Sequence, residues 1–186
     1  AGLIKLRGDS CWRDLTCLYY HYETQPIPNP LSSLLHFMPK WFHQLGALWN
    51  HLNELIAPWF MLGPRRLRHI AGFLLVSFQV ILILSGNLSF LNWVTIIPAL
   101  ACFDDSWFLH ILPKGLTERA VQASAVAKVS RAHRVVIPGL VLLVAVLSVF
   151  PIANLVSSRQ AMNTSFDPLH LVNTYGAFGS VGQERN

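Results

Sequence analysis

An uncharged apolar stretch, residues 135–156, constrains the fold of this chain more than any other feature. As an α-helix it would extend about 33 Å at about 1.5 Å per residue, enough to cross a hydrocarbon core of roughly 30 Å. Pro138 and Pro151 lie within it. Membrane helices tolerate proline, because neighbouring groups satisfy the carbonyls that it leaves free. The stretch therefore predicts a transmembrane helix.

Two further apolar segments, residues 67–85 and 88–103, predict that the chain crosses the bilayer more than once. The short turn Gly86-Asn87 separates them, so they are expected to form a helical hairpin. Gly72 lies near the start of the first segment, where it would allow a neighbouring helix to approach closely. A fourth segment, residues 45–62, is more polar; it either spans or lies against the bundle, and we expect it to span.

Composition and charge agree with a membrane location. Hydrophobic residues make up 53% of the 186-residue chain and charged residues 12%, whereas soluble domains carry about 25% charged residues. The net charge is +5, and the basic residues lie in clumps beside apolar segments. This pattern indicates that the basic residues set the membrane topology and contact anionic lipid, rather than bind nucleic acid. By the positive-inside rule, residues 64–69 and the loop 104–134 are cytosolic. Residues 1–44 and 157–186 then lie on the opposite side.

Residues 1–44 are expected to form a cap at the membrane interface. Cys11, Leu15, Leu18 and Tyr22 fall on one helical stripe, and the prolines of residues 25–30 favour an extended strap. At the other end of the chain, residues 169–181 combine β-prone residues with glycines and predict the start of a β-rich domain. The predicted fold is therefore an all-α polytopic transmembrane helical bundle with a proline-rich amphipathic cap and the beginning of a lumenal C-terminal domain.

The cysteines leave two alternatives open. Cys11 and Cys17 could form a disulfide. In a continuous helix, however, they would lie about 9 Å apart along the axis, whereas a disulfide needs Cα atoms within about 7 Å. A continuous helix therefore predicts unpaired thiols, or a bond to a distant cysteine. Cys102 is expected to be a core residue.

Polar residues inside candidate spans are potential functional groups. Glu54 is in reach of His51 and Asn50 on one helix face, and the group is either a functional site or a structural hydrogen-bond cluster between helices. Gln79 and Asn92 are expected to form interhelical hydrogen bonds.

Other motifs carry little chemistry. His21, Glu23, His36, His43 and His51 lack the spacing of a zinc site, so no metal or other cofactor is predicted. Two glycosylation sequons occur. Asn87 lies in a tight membrane turn, whereas Asn163 lies on the predicted non-cytosolic side and is the better candidate.

Several segments together resemble the lipase maturation factor family, with the nearer likeness to its first vertebrate-type branch. They extend over nearly the whole chain, except for the loop from Trp107 to Arg134. In the first part of the chain the segments are Gly2-Leu3-Ile4-Lys5-Leu6-Arg7-Gly8-Asp9, Cys11-Trp12-Arg13-Asp14-Leu15-Thr16-Cys17, His21-Tyr22-Glu23-Thr24-Gln25-Pro26, Pro28-Asn29-Pro30, Ser85-Gly86-Asn87-Leu88-Ser89-Phe90-Leu91-Asn92-Trp93 and Ala101-Cys102-Phe103-Asp104-Asp105. Toward its end they are Ser157-Ser158-Arg159-Gln160, Met162-Asn163-Thr164 and Val172-Asn173-Thr174-Tyr175-Gly176-Ala177-Phe178-Gly179-Ser180.

The resemblance implies a fragment of a multi-pass protein of the endoplasmic reticulum membrane. Such a factor would assist folding, dimer assembly and export of secreted homodimeric lipases, including lipoprotein lipase and hepatic lipase, without being an enzyme and without a cofactor. Its partners would be these lipases and the lipid bilayer. A lumenal loop of the family is implicated in client contact, and its counterpart here supplies the candidate client-binding residues Trp12, Arg13, Asp14, Tyr19, His21, Tyr22 and Glu23.

Two alternative functions compete with this interpretation. Lys5-Leu6 and Trp12 loosely resemble a basic motif of the membrane γ-carboxylases, in which a lysine acts as a base. Such a lysine needs burial to lower its pKa, but Arg7 and Asp9 nearby predict a hydrated setting for Lys5. The other alternative is a transporter that uses Glu54 and His51.

Overall fold

The structure is a computed structural model that describes residues 2–25, 28–127 and 130–174. The chain is predominantly helical and divides into two compact units, one that includes residues up to Asp104 and one that begins at Asp105.

The predicted cap, called the head from here on, begins the first unit. Its described part consists of four short helices between residues 2 and 36 rather than one long helix. Its helical stripe is interrupted at Leu15, which has a positive φ of 58°, so the chain reverses between the two cysteines. The prolines after Gln25 then separate the third helix from the fourth. The four helices are α1 Gly2–Arg7, α2 Ser10–Arg13, α3 Cys17–Thr24 and α4 Ser32–His36.

A longer helical run follows Pro39. It consists of α5 (Lys40–His51), a π-helical turn (Leu52–Ile56) and α6 (Ala57–Phe60). Pro58 has no N–H, so a regular α-helix would leave a carbonyl unpaired one turn earlier, where the wider π turn lies. The run from 40 to 60 covers most of the predicted span 45–62 and is about 31 Å long. Its crossing of the bilayer stays a prediction.

The predicted hairpin is formed by α7 (Arg65–Ser85) and α8 (Leu91–Leu100). Gly72 is the point of close approach, since a Cβ there would lie 2.8 Å from both the Cys102 Cβ and the Phe103 ring. The expected role of this glycine in helix packing is thus confirmed, and Cys102 is buried as expected. At the start of α7, Arg65 forms an ion pair with Asp104.

In the second unit, the stretch expected to be a loop contains two helices, α9 (Asp105–Ile111) and α10 (Lys114–Val126). The long apolar stretch forms α11 (Arg131–Leu147) and α12 (Val149–Val156). Among the described residues, two helical segments are long and apolar enough to cross a membrane, Arg65–Ser85 and Arg131–Val156. A third is added if α8 and α9 count as one broken span.

A small antiparallel pair follows the last helix, with β1 (Thr164–Ser165) against β2 (Asn173–Thr174). Asp167 organises the connecting loop by accepting hydrogen bonds from the backbone N–H groups of Leu169, Leu171 and Val172. The sequence predicts strands within residues 169–181. The structure has one at Asn173–Thr174, and residues 175–181 lie outside the described part.

Candidate functional site

A disulfide joins Cys11 to Cys17 within the head, with a Cα–Cα distance of 4.7 Å. The expectation of unpaired thiols in a continuous helix is wrong. The helix ends at Arg13, and the left-handed Leu15 turns the chain so that the second cysteine begins a new helix. No glycine or proline marks this break, so no local signal in the sequence predicts it.

Lys5 lies in a buried polar cluster and is 5% exposed. Its ammonium donates to Glu54 Oε1 at 2.7 Å and to Asn50 Oδ1 at 2.8 Å, and it lies 4.7 Å from the centroid of the Trp12 ring. The hydrated setting predicted for this lysine is therefore wrong. Three favourable contacts compensate the cost of removing the charge from water.

Close packing brings Lys5 to the π-helical turn. A Cβ on Gly2 would lie 2.7 Å from Leu55 Cδ2 and 3.0 Å from Glu54 Cβ, so α1 docks where a larger residue would not fit. Burial lowers the pKa of Lys5 from its ordinary value, and the Glu54 carboxylate opposes this shift. The pair joins residues 49 positions apart and fixes α1 to the π-helical turn.

The predicted cluster of Asn50, His51 and Glu54 is only partly formed. Asn50 and Glu54 meet at Lys5, whereas His51 Nε2 donates to the Trp12 carbonyl oxygen at 2.9 Å. Within the described part of the chain, Asn50 Nδ2 and Glu54 Oε2 are buried without a hydrogen-bond partner. The cluster therefore joins the head to the helical run, as its structural interpretation requires, but through a lysine that the prediction did not include.

Aromatic rings fill the space between α3 and α5. His43 is fully buried, its ring centroid lies 4.2 Å from that of Tyr19 and 5.7 Å from that of Tyr22, and its Nε2 donates to the Met38 carbonyl oxygen. Burial, helped by the charge of Lys5, lowers the pKa of His21 to about 4. His21 is therefore neutral at physiological pH.

The proline strap is attached to the carboxyl end of α7. Ser32 Oγ and Gln25 Nε2 donate to the Ser85 carbonyl oxygen at 2.9 and 3.3 Å, and Asn29 Nδ2 donates to the Ile83 carbonyl oxygen at 3.0 Å. The last carbonyls of a helix have no intrahelical partner, and here the head supplies the donors. Sequence reasoning missed this contact, although three polar side chains around the prolines were a signal for it.

The candidate client-binding residues divide into a buried group and an exposed group. Trp12, His21 and Tyr22 are buried, which corrects the expectation that they present a contact surface, because their rings pack within the head. Tyr19 is half-buried. The exposed members are Arg13, Asp14 and Glu23.

The remaining predicted residues have simpler positions. Asn92 Nδ2 donates to Gln79 Oε1 at 3.0 Å, which is the interhelical bond expected of these amides. Asn163 is exposed and precedes β1. No group of three or more His, Cys, Asp or Glu side chains could hold a metal ion within the described ranges.

The apolar helices and the buried polar contacts between them define a helical membrane protein. A family model described as "Lipase maturation factor transmembrane domain" matches residues 1–110. The chain belongs to the lipase maturation factor family.

Curated relatives match the chain along its whole length. It is 53% identical to mouse (Mus musculus) Lipase maturation factor 1 and 50% identical to the human (Homo sapiens) protein of that name; all of the chain is covered, but only 34% and 35% of those proteins. Human Lipase maturation factor 2 is 38% identical over 56% of the chain and 15% of its own length. No solved structure matches. The chain spans about a third of the length of the Lipase maturation factor 1 proteins that it matches.

Proposed function

We propose that this chain contributes a membrane-anchored head to a factor that assists maturation of secreted homodimeric lipases of the lipoprotein lipase type. The names of its relatives support the lipase role. The main structural support is the set of contacts that hold the head in place. A disulfide, a buried ion pair and three bonds to α7 hold it rigidly beside the spans. A rigid surface loses little conformational freedom when it binds a partner.

The proposed location is the endoplasmic reticulum membrane, with residues 1–44 and 157–186 in the lumen and residues 104–134 in the cytosol. Arg65, Arg66 and Arg68 lie at the start of α7, which favours a cytosolic position for that end. The head is bonded to the other end, at Ser85. The disulfide between Cys11 and Cys17 agrees with an oxidising compartment, and Asn163 is then available for glycosylation.

Client contact is assigned to the exposed part of the head. Arg13, Asp14 and Glu23 expose charged groups, and Tyr19 adds a half-buried ring nearby in the chain. Trp12, His21 and Tyr22 are neighbours of these residues in the sequence and are buried. Factors of this kind would help the lipase fold, assemble into dimers and leave the compartment.

The test is rescue of lipase maturation in cells that lack the endogenous factor. The full-length parent of this chain is expected to restore the specific activity of secreted lipoprotein lipase. Charge reversal at Arg13 and Glu23 together should reduce that activity while expression stays normal, and reversal of exposed Arg119 and Glu118 is the matched control. Normal rescue by the head variant would contradict the assigned surface.

A second candidate function, a membrane enzyme, is favoured by one observation. Lys5 is buried with a lowered pKa, as a lysine acting as a base must be. However, Glu54 and Asn50 already accept hydrogen bonds from its ammonium, which is what a structural role requires. Lys5→Arg keeps the charge, so rescue that is lost with unchanged stability would favour the enzyme.

A further inference from the structure

An apolar groove of about 760 Å³ lies between α5, the π-helical turn and the carboxyl-terminal part of α7. Cavities of roughly 300–1,000 Å³ are the size that proteins use for small ligands. Residues that line the groove include Trp41, Leu45, Leu48, Trp49, Leu52 and Ile81.

The stripe along α5 that borders the groove is left uncovered. Trp41, Leu45, Leu48 and Leu52 recur at the spacing of one helix face, and the first three are 61%, 56% and 49% exposed. A row of large apolar side chains with this exposure marks a surface that contacts something other than water.

The groove is continuous with the lipid-facing side of a spanning helix. Ile81 lies in α7 and shares a face with Phe73, Val80 and Leu84, all of which are more than 40% exposed. Ile81 is one turn before the end of the helix at Ser85, about 6 Å along its axis. A hydrocarbon chain in the adjoining leaflet can therefore enter the groove without crossing water.

Two polar features lie at the groove. Trp49 lines the groove, and its indole Nε1 is buried without a hydrogen-bond partner in the described part of the chain. Exposed Lys40 begins α5, directly before Trp41. An acyl lipid offers matching groups, since its ester carbonyls are acceptors and its phosphate is anionic.

We propose that this groove binds one acyl chain of a membrane phospholipid. A peptide segment of a client fits less well. Its backbone would bring several N–H and C=O groups into a surface lined almost entirely by hydrocarbon, where each unpaired group is costly. The bound lipid completes the packing between α5 and α7, and it goes beyond the proposed lipase function because it does not depend on a client.

The experiment uses the full-length parent of this chain in nanodiscs that contain a diazirine-bearing phosphatidylcholine. After photolysis, peptide mass spectrometry compares adducts in the groove with adducts around Phe73, which report ordinary surrounding lipid. Leu45→Trp and Leu48→Trp, the filled variants, each place a larger side chain in the groove. Leu34→Trp is the matched control, because Leu34 is 59% exposed but does not line the groove. A diazirine-bearing free fatty acid is tested in parallel.

Groove adducts are expected from phosphatidylcholine, and they should fall about tenfold in either filled variant, since displacing about two methylene groups costs that much affinity. Adducts around Phe73 and those of Leu34→Trp should not change. Unchanged groove labelling in either filled variant that folds would overturn the proposal. Labelling by the fatty acid alone, or displacement of the lipid by a lipase, would also overturn it.

Discussion

The buried pair of Lys5 and Glu54 gives the most informative prediction about the head. Glu54→Gln removes the carboxylate and leaves the ammonium of Lys5, 5% exposed, with neutral acceptors. Breaking a buried ion pair on one side costs about 3–5 kcal/mol, because the remaining charge stays uncompensated. Glu54→Gln keeps an amide oxygen that can accept from Lys5, so we expect the free energy of unfolding to fall by about 3 kcal/mol. Lys5→Met should cost a similar amount.

The double variant Lys5→Met/Glu54→Gln contains neither charge. Replacing both members of a buried pair is often close to neutral, so the double variant should be more stable than either single variant by about 2 kcal/mol. In a thermal melt followed by tryptophan fluorescence, each single variant of the full-length parent should melt at a lower temperature than the unaltered protein, and the double variant should melt at a higher temperature than either single variant. Trp12 lies close enough to the ammonium to report the change.

Matched controls come from the second unit. Lys114→Met and Glu118→Gln change exposed residues of the same types and should leave the melting temperature unaltered. If the losses from the two single head variants simply add in the double variant, the pair does not act as a unit, and the account of the head is refuted.

Three further predictions concern packing and protonation. Gly72→Leu should destabilise the hairpin of α7 and α8 by about 1–3 kcal/mol in the same melt, because its side chain would overlap Cys102 and Phe103, whereas Gly139→Leu, with open space around it, should not. His21 has a folded-state pKa of about 4 against an ordinary 6.5, so the unfolded chain binds the extra proton between these values. The free energy of unfolding should therefore fall by up to about 3 kcal/mol as the pH drops from 6.5 to 4, and it should not change for this reason above pH 6.5. In pH-dependent melts, His21→Gln should reduce this dependence on pH. Hydrogen bonds from Val172, Leu171 and Leu169 lower the pKa of Asp167, so its loop should lose amide protection only when the pH falls through that lowered pKa. The loop of Asp167→Asn should exchange faster than the wild-type loop at every pH above that pKa, and equal exchange at neutral pH would contradict this role.

The helices were the part of the fold that the sequence could predict. The apolar runs within Arg65–Ser85 and Arg131–Val156 are local properties, because a helix in lipid must be long and apolar whatever it packs against. Gly72 and the pair of Gln79 and Asn92 were also predictable, since small and amide side chains in a span indicate helix contacts.

Long-range contacts in the head could not be predicted in the same way. The link between Lys5 and Glu54 spans 49 positions, and hydropathy does not report which buried charges meet. Helical periodicity through Cys11, Leu15, Leu18 and Tyr22 implied one helix, yet the reversal at Leu15 places the cysteines together. Burial of Trp12 and Tyr22 follows from these contacts, so aromatic residues that suited an interface are core residues instead.

The central claim is that the lumenal head contacts the lipase, and site-specific photo-crosslinking tests it most directly. A photoreactive amino acid would replace Glu23 in the head or, as the matched exposed glutamate, Glu118 in α10 of the full-length parent, in cells that make lipoprotein lipase. The account predicts crosslinks to the lipase from position 23 and none from position 118. Crosslinks from position 118 with none from position 23 would contradict it, because the client would then meet the protein on the other side of the membrane.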